Sequence, residues 1–346
     1  MRVKQSLAIC ATLACLIRTS TAFAQSAVPQ FDEYLRSTVK LSASQIADAQ
    51  QGRVVLKLLH TDLNRDVTVF GIVGIHVTRD AYVARLQDVK SLISAREQQF
   101  GIVGDPATVA DLQGMAMDPS EWRDLKSCRV DDCDFKLPAS AMRQFSQAVN
   151  WNGPNARSEV DSIMRSNVQA LITAYRTHGN SAMPRYDDTK GVQASDAFTA
   201  LLAQSPFLPQ FAPAFRTFLA NYPADRPEGV LDVMYWSRDE ISHLRPTLTV
   251  NQMIVYTPAT GVPLIARKQI YADHYFEASL ALSAVFDAPD LAGGPGIYLV
   301  TVRRYRFDSL PGGILNIRGR VRNALQKSLG SDLERERKST EARATR

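Results

Sequence analysis

Cysteine is scarce: the 346 residues hold four, at positions 10, 15, 128 and 133. A chain of this length buries a full core without covalent help, and so few thiols exclude a disulfide-rich scaffold. No G-x-S-x-G, H-E-x-x-H, P-loop or G-x-G-x-x-G pattern occurs, so the commonest hydrolase, zinc-protease and nucleotide-binding signatures are missing. The five histidines, His60, His76, His178, His243 and His274, lie far apart and form no compact metal signature. No internal repeat and no low-complexity tract is present. With 45% hydrophobic and 22% charged residues the composition is ordinary for a globular protein. Disorder, collagen and a coiled coil are thereby excluded as the main architecture.

A strong excess of positive charge is lacking as well. The formal net charge is +5, but Arg2, Lys4 and Arg18 precede every acid. Without those three, 37 bases face 35 acids and the net charge is +2. Arg303-Arg304-Tyr305-Arg306 divides its charge between the two faces of a strand. Nucleic acid is therefore not an expected partner.

What is present begins with an export signal. Met1–Ala24 has a basic start at Arg2 and Lys4, an uncharged apolar run from Ser6 to Ile17, and an Ala22-Phe23-Ala24 cleavage site. The competing readings are an uncleaved anchor and lipid modification at Cys10 or Cys15. The apolar run is well short of the roughly 18 residues of a spanning helix, and Ile9 suits a lipidation site poorly. The expectation is a mature chain from Gln25 in the periplasm or secreted, with no transmembrane segment after cleavage. Cys128 and Cys133 then remain as an even pair in an oxidising compartment. They bracket the polar turn Arg129–Asp132, which predicts a disulfide. A zinc site would need further ligands, a redox site more typically shows C-x-x-C, and Asp131, Asp132 and Asp134 lack the offsets of a calcium loop.

Patterning divides the rest. Val54–Leu59 and Val67–Val77 read as strands. Thr78 and Asp80 are caps for a helix with Tyr82, Val83, Leu86, Val89 and Ile93 at helical spacing. Phe100–Val103 is a short strand, and Asp111–Leu125 is helical or irregular. Residues 138–222 are helical, with a stripe from Val160 to Tyr175 closed by Gly179. Phe207, Phe211, Phe215, Phe218 and Tyr222 make an aromatic stripe interrupted by prolines. Five strands follow, at Gly229–Trp236, Thr247–Tyr256, Val262–Phe276, Ala278–Phe286 and Gly296–Phe307, with short links that favour an antiparallel meander. A helix from Pro311 to about Arg337 presents Ile314, Ile317, Val321, Leu325 and Leu329, and a charged tail frays beyond it. The predicted fold is α+β: a curled antiparallel sheet gripping a long C-terminal helix, with a helical insertion. In domains, 1–24 is the signal peptide, 25–137 with 228–338 the α+β domain, 138–227 the insertion and 339–346 the tail.

The strand Val67–Val77 entering a helix at Thr78, the meander Gly229–Phe307, and the exit Ser309-Leu310-Pro311-Gly312-Gly313-Ile314-Leu315 into a basic terminal helix resemble the START and polyketide-cyclase-like (SRPBCC) helix-grip superfamily. The resemblance spans about two thirds of the mature chain and rests on pattern and order. It implies a cavity between sheet and helix that binds a hydrophobic small molecule or lipid.

Tyr235, Tyr271, His274 and Arg303 are the candidates to orient such a ligand, with Phe211 and Phe215 near the cavity mouth. If Val262–Phe276 is one strand, His274 shares a face with Ala272 and Phe276. Arg303 either holds a carboxylate in the cavity or pairs with Glu277 or Asp287. For His274 the plainer alternative is a hydrogen-bonded structural histidine, and for the aromatic stripe an ordinary buried helix face. No catalytic residue, metal or cofactor is assigned. Two other functions stay open: a periplasmic enzyme using His274 with Asp273 or Glu277, and an envelope module whose helical block docks a protein partner.

Overall fold

The strand Asp66–Ile75 (β2) is an almost unbroken run of Val, Ile, Phe and Gly, and every residue in it is buried. A strand of that composition is covered on both faces, and both faces of this sheet carry helices. The structure, a computed structural model, describes residues 29–308 and 317–344. The export signal Met1–Ala24, with Cys10 and Cys15, the exit residues Ser309–Leu315 and the last two residues lie outside the described residues.

After a helix at Ala43–Gln50 (α1), an eight-stranded antiparallel sheet is the centre of the fold. Its strands are Val55–Leu59 (β1), β2, Phe100–Val103 (β3), Val230–Asp239 (β6), Thr247–Tyr256 (β7), Leu264–Ala272 (β8), Phe276–Ala288 (β9) and Gly296–Phe307 (β10). Arg185–Tyr186 (β4) and Val192–Gln193 (β5) form a separate small hairpin. The spatial order is β1-β2-β10-β9-β8-β7-β6-β3. The last five strands make the expected meander. Strand β2 is added beside β10, with Val69 opposite Arg303, and β3 closes the far edge, with Ile102 opposite Tyr235. The sheet is open, with β1 and β3 as its edges.

One expected strand is shorter. Val262–Phe276 ends at Ala272, and Asp273–Tyr275 turn into β9. Asp273 accepts a hydrogen bond from the Leu248 amide through its side chain (2.9 Å), and its carbonyl accepts from the Lys136 amide (2.8 Å), so the ladder stops there. Tyr275 adopts a left-handed φ of 58°. His274 therefore sits in a turn and does not alternate with Ala272 and Phe276.

The first face of the sheet is covered by the segment read as an insertion. Its helices are Ala139–Ala148 (α4), Ala156–His178 (α5), Ala194–Ala203 (α6), Phe207–Phe211 (α7) and Pro213–Asn221 (α8). Val160, Met164, Val168, Ile172 and Tyr175 of α5 are buried at the predicted spacing, and the helix ends at Gly179 with φ 63°. A Cβ there would lie 1.6 Å from the Tyr222 carbonyl, so only glycine fits. Buried cations lie within this layer, including a lysine with no acid beside it among the described residues. Lys268 of β8 is fully buried, its Nζ 4.0 Å from the centre of the Phe198 ring and 5.0 Å from that of Tyr175, and it contacts the Asn180 side-chain carbonyl. No carboxylate pairs with it among the described residues, and burial drives its pKa well below the ordinary lysine value.

Against the second face lie two short helices and the terminal one. Where one helix was expected, Arg79–Arg85 (α2) and Val89–Ser94 (α3) are separate, because Asp88 caps a new start by accepting from the Ser91 amide (3.1 Å). Thr78 is the cap of α2. The terminal helix, Ile317–Ala344 (α9), buries Val321, Leu325, Leu329 and Leu333 over the sheet. It runs further than its apolar stripe suggests. Glu334–Lys338 and Arg337–Glu341 pair at 3.2 Å along it, and Thr340, at 1% exposed, packs by Arg85 and Glu336. Cys128 and Cys133 are disulfide-bonded, Cα to Cα 4.5 Å, around a turn in which Asp131 takes a left-handed φ of 64°. No described helix is long and apolar enough to cross a membrane.

Candidate functional site

A groove lies between the second face of the sheet, the loop after α3, and α9. Strand alternation builds its floor. Arg303 and Tyr305 of β10 project to one face, as does Arg267 of β8. The register places Ala281 of β9 opposite both Arg303 and Arg267. That small side chain leaves room for two guanidinium groups on either side. Arg267, Ser279, Ala281 and Tyr305 are only half-buried, unlike most of the sheet.

The groove has two chambers. The polar one has a volume of about 400 Å³ and centres on Arg267. Its guanidinium pairs with Glu97 (3.2 Å) and Asp239 (2.7 Å) and lies 6.0 Å from the centre of the Tyr235 ring. Burial pushes the Glu97 carboxyl up to about 7; Arg267 opposes the shift and Asp239 adds to it. The Tyr235 hydroxyl is buried with no hydrogen-bond partner among the described residues, and burial raises its pKa. The second chamber, about 270 Å³, has Leu92, Ala95, Leu299, Leu329 and Leu333 in its wall, with the charged side chains of Arg85, Asp88, Arg335, Glu336 and Arg343 also lining it. Arg96, Arg303 and Asp332 line both chambers.

At that junction Asp332 of α9 takes Arg303 on one side and Arg335 (3.1 Å) on the other. Arg335 also donates to the Ala95 carbonyl (2.7 Å). Arg303 thus pairs with Asp332 and not with Glu277 or Asp287, which take Arg65 and Arg79. Arg96 has no ion-pair partner among the described residues. The junction therefore offers one uncommitted cation between an apolar wall and a charged one.

The sequence candidates do not converge on one place. Arg303 lines this groove, and Tyr235 does not: it is fully buried beside Arg267. Tyr271 packs on the opposite face, its ring 6.2 Å from Tyr186. His274, in its turn, meets the Asp134 carbonyl through Nδ1 (3.0 Å), Glu121 through Nε2 (3.4 Å) and the Phe135 ring (4.6 Å). Its neighbour Asp273 is pushed up to about 6, chiefly by burial. Phe211 and Phe215 belong to the helical layer: Phe211 meets Phe286 edge-on at 5.2 Å, and Phe215 stacks on Tyr256 at 5.2 Å.

Arg96, Glu97, Asp239, Arg267 and Tyr305 were missed. A signal existed for one of them. Arg267-Lys268-Gln269 interrupts the otherwise apolar Leu264–Ala272, and a pair of cations inside a strand must find two buried destinations, one on each face. No described group of three or more His, Cys, Asp or Glu side chains is placed to hold a metal ion. In comparisons with known families, curated proteins and solved structures nothing matches the chain, so the functional reading rests on the geometry of the groove.

Proposed function

We propose that this is an exported binding protein for a small amphipathic molecule or lipid, held between the sheet and the terminal helix, with the sheet curled around that helix. The observation that carries the reading is the meeting of a chamber with a leucine-rich wall and a more polar chamber at Arg96, Arg303 and Asp332. An apolar pocket with a few convergent polar groups is the usual form of a small-molecule site. Here the apolar part of the guest lies against Leu92, Leu299, Leu329 and Leu333. Its head, an anion, meets the unpaired Arg96. The resemblance to the helix-grip superfamily supports this location, and the sequence Met1–Ala24 with the Cys128–Cys133 disulfide supports the periplasm or the exterior as its compartment.

Native mass spectrometry of protein purified from its own host tests the reading directly: a retained amphipathic anion is expected. Arg96→Met should release it while leaving the melting temperature unchanged. If wild-type protein carries no ligand and binds no fluorescent fatty acid, the carrier reading fails. A second reading, an enzyme, has one specific support: a buried carboxyl at Glu97, held at about 7 inside the polar chamber, is suited to proton transfer.

A further inference from the structure

Across the sheet from the groove, a separate cavity of about 380 Å³ opens between α4 and α5. Leu137, Ala141, Met164, Val168 and Leu171 wall it, and Tyr271 lines it from the sheet. Ser140 and Gln144 are exposed and form its rim. No charged side chain lines it. Two lining side chains have a buried polar atom with no hydrogen-bond partner among the described residues: the Tyr271 hydroxyl and the Asn167 side-chain amide nitrogen. Tyr271 is only 4% exposed, and burial keeps its hydroxyl protonated.

The capacity these two groups share is to donate. An amide nitrogen can only donate, and a protonated phenol donates as readily as it accepts. With no cation present, the complement is a neutral acceptor. We propose that this cavity is a second binding site, for a small neutral apolar molecule carrying a carbonyl-type oxygen that accepts from Asn167 and Tyr271. The site is independent of the anion-binding groove, because the sheet lies between them.

Prodan, a neutral naphthyl ketone whose emission shifts to the blue in apolar surroundings, is the probe. Titrated into the full-length protein, it should bind with a blue shift. Ala141→Trp and Leu171→Trp fill the cavity from two walls and should each weaken binding at least ten-fold. Comparing both keeps the test valid if one fails to fold. Tyr271→Phe should weaken it roughly five-fold, the usual value of one hydrogen bond, with an unchanged melting temperature. Saturating laurate, which suits the other groove, should leave prodan binding unaltered. Absence of prodan binding, wild-type affinity in both tryptophan variants, or displacement by laurate would each overturn the proposal.

Discussion

Lys268→Met removes a buried charge and keeps the length of the side chain. In the unfolded chain this lysine holds its proton up to about pH 10.4. In the folded protein burial makes it give the proton up earlier. Between those two pKa values the unfolded state binds more protons than the native one, so wild-type stability rises with pH at up to about 1.4 kcal/mol per unit. Above about pH 10.4 the penalty is gone, and below the folded pKa it is complete and constant. The variant lacks this slope. It should therefore be the more stable protein at neutral pH, since an apolar side chain of similar volume replaces an unpaired buried cation, and its advantage should shrink as pH rises. With an unfolding entropy of about 2.1 cal/mol/K per residue, the gap in melting temperature should close by about 2 °C per pH unit. The faces of Phe198 and Tyr175 attract the ammonium and offset part of the desolvation. That moves the window and leaves the slope. Calorimetry of both proteins from pH 7 to 10.5 gives the difference, in which tyrosines titrating elsewhere cancel. Parallel curves over that whole range would refute the account of Lys268 as a desolvated amine.

Glu97→Gln should act in the opposite sense. A carboxyl held at about 7 in the folded protein and at about 4.3 unfolded favours the native state below its unfolded pKa, and that advantage is lost as pH rises toward 7, so the variant's stability should fall less between pH 4.5 and 7 in urea titrations. Phe215→Ala should cost about 3–5 kcal/mol, because the ring is fully buried against Tyr256; a melting temperature unchanged by that substitution would refute its place in the core. Deleting Ser339–Arg346 should cost roughly 2 kcal/mol, as two or three hydrogen bonds go with Thr340 and Glu341, measured by the urea midpoint. Replacing Cys128 and Cys133 together by Ser should cost about 2 kcal/mol for so short a loop, and mass mapping of the native protein should find no free thiol at either position.

The meander was legible because its strands are long, apolar and separated by plain turns such as Thr257–Gly261, and because consecutive strands are neighbours. The addition of β2 beside β10 and of β3 beside β6 was not, since nothing local in Val69 or Ile102 names a partner far along the chain. His274 was misplaced for a related reason. Tyr271–Phe276 has strand composition throughout, and the turn is imposed by bonds from Lys136 and Leu248 that only the fold supplies. At the groove Arg303 was visible as an arginine in a strand. Glu97 was not, because its value comes from meeting Arg267, and the two share no local pattern. The end of α9 was underestimated because Leu333 and Thr340 are isolated in a charged run, where spaced ion pairs sustain the helix instead of an apolar stripe.

The pairing of Val69 with Arg303 governs when the sheet can be completed. Until β10 has left the ribosome, the second strand made has only β1 beside it, and a two-stranded ribbon is marginal in water. Contacts so distant in sequence make folding slow, since the loop must close before it gains anything. The nascent chain therefore cannot join β1 and β2 to the meander until nearly all of it has been synthesised. For the export proposed above, late completion of the sheet would be an advantage: less has to be unfolded before the chain is threaded through a translocation pore.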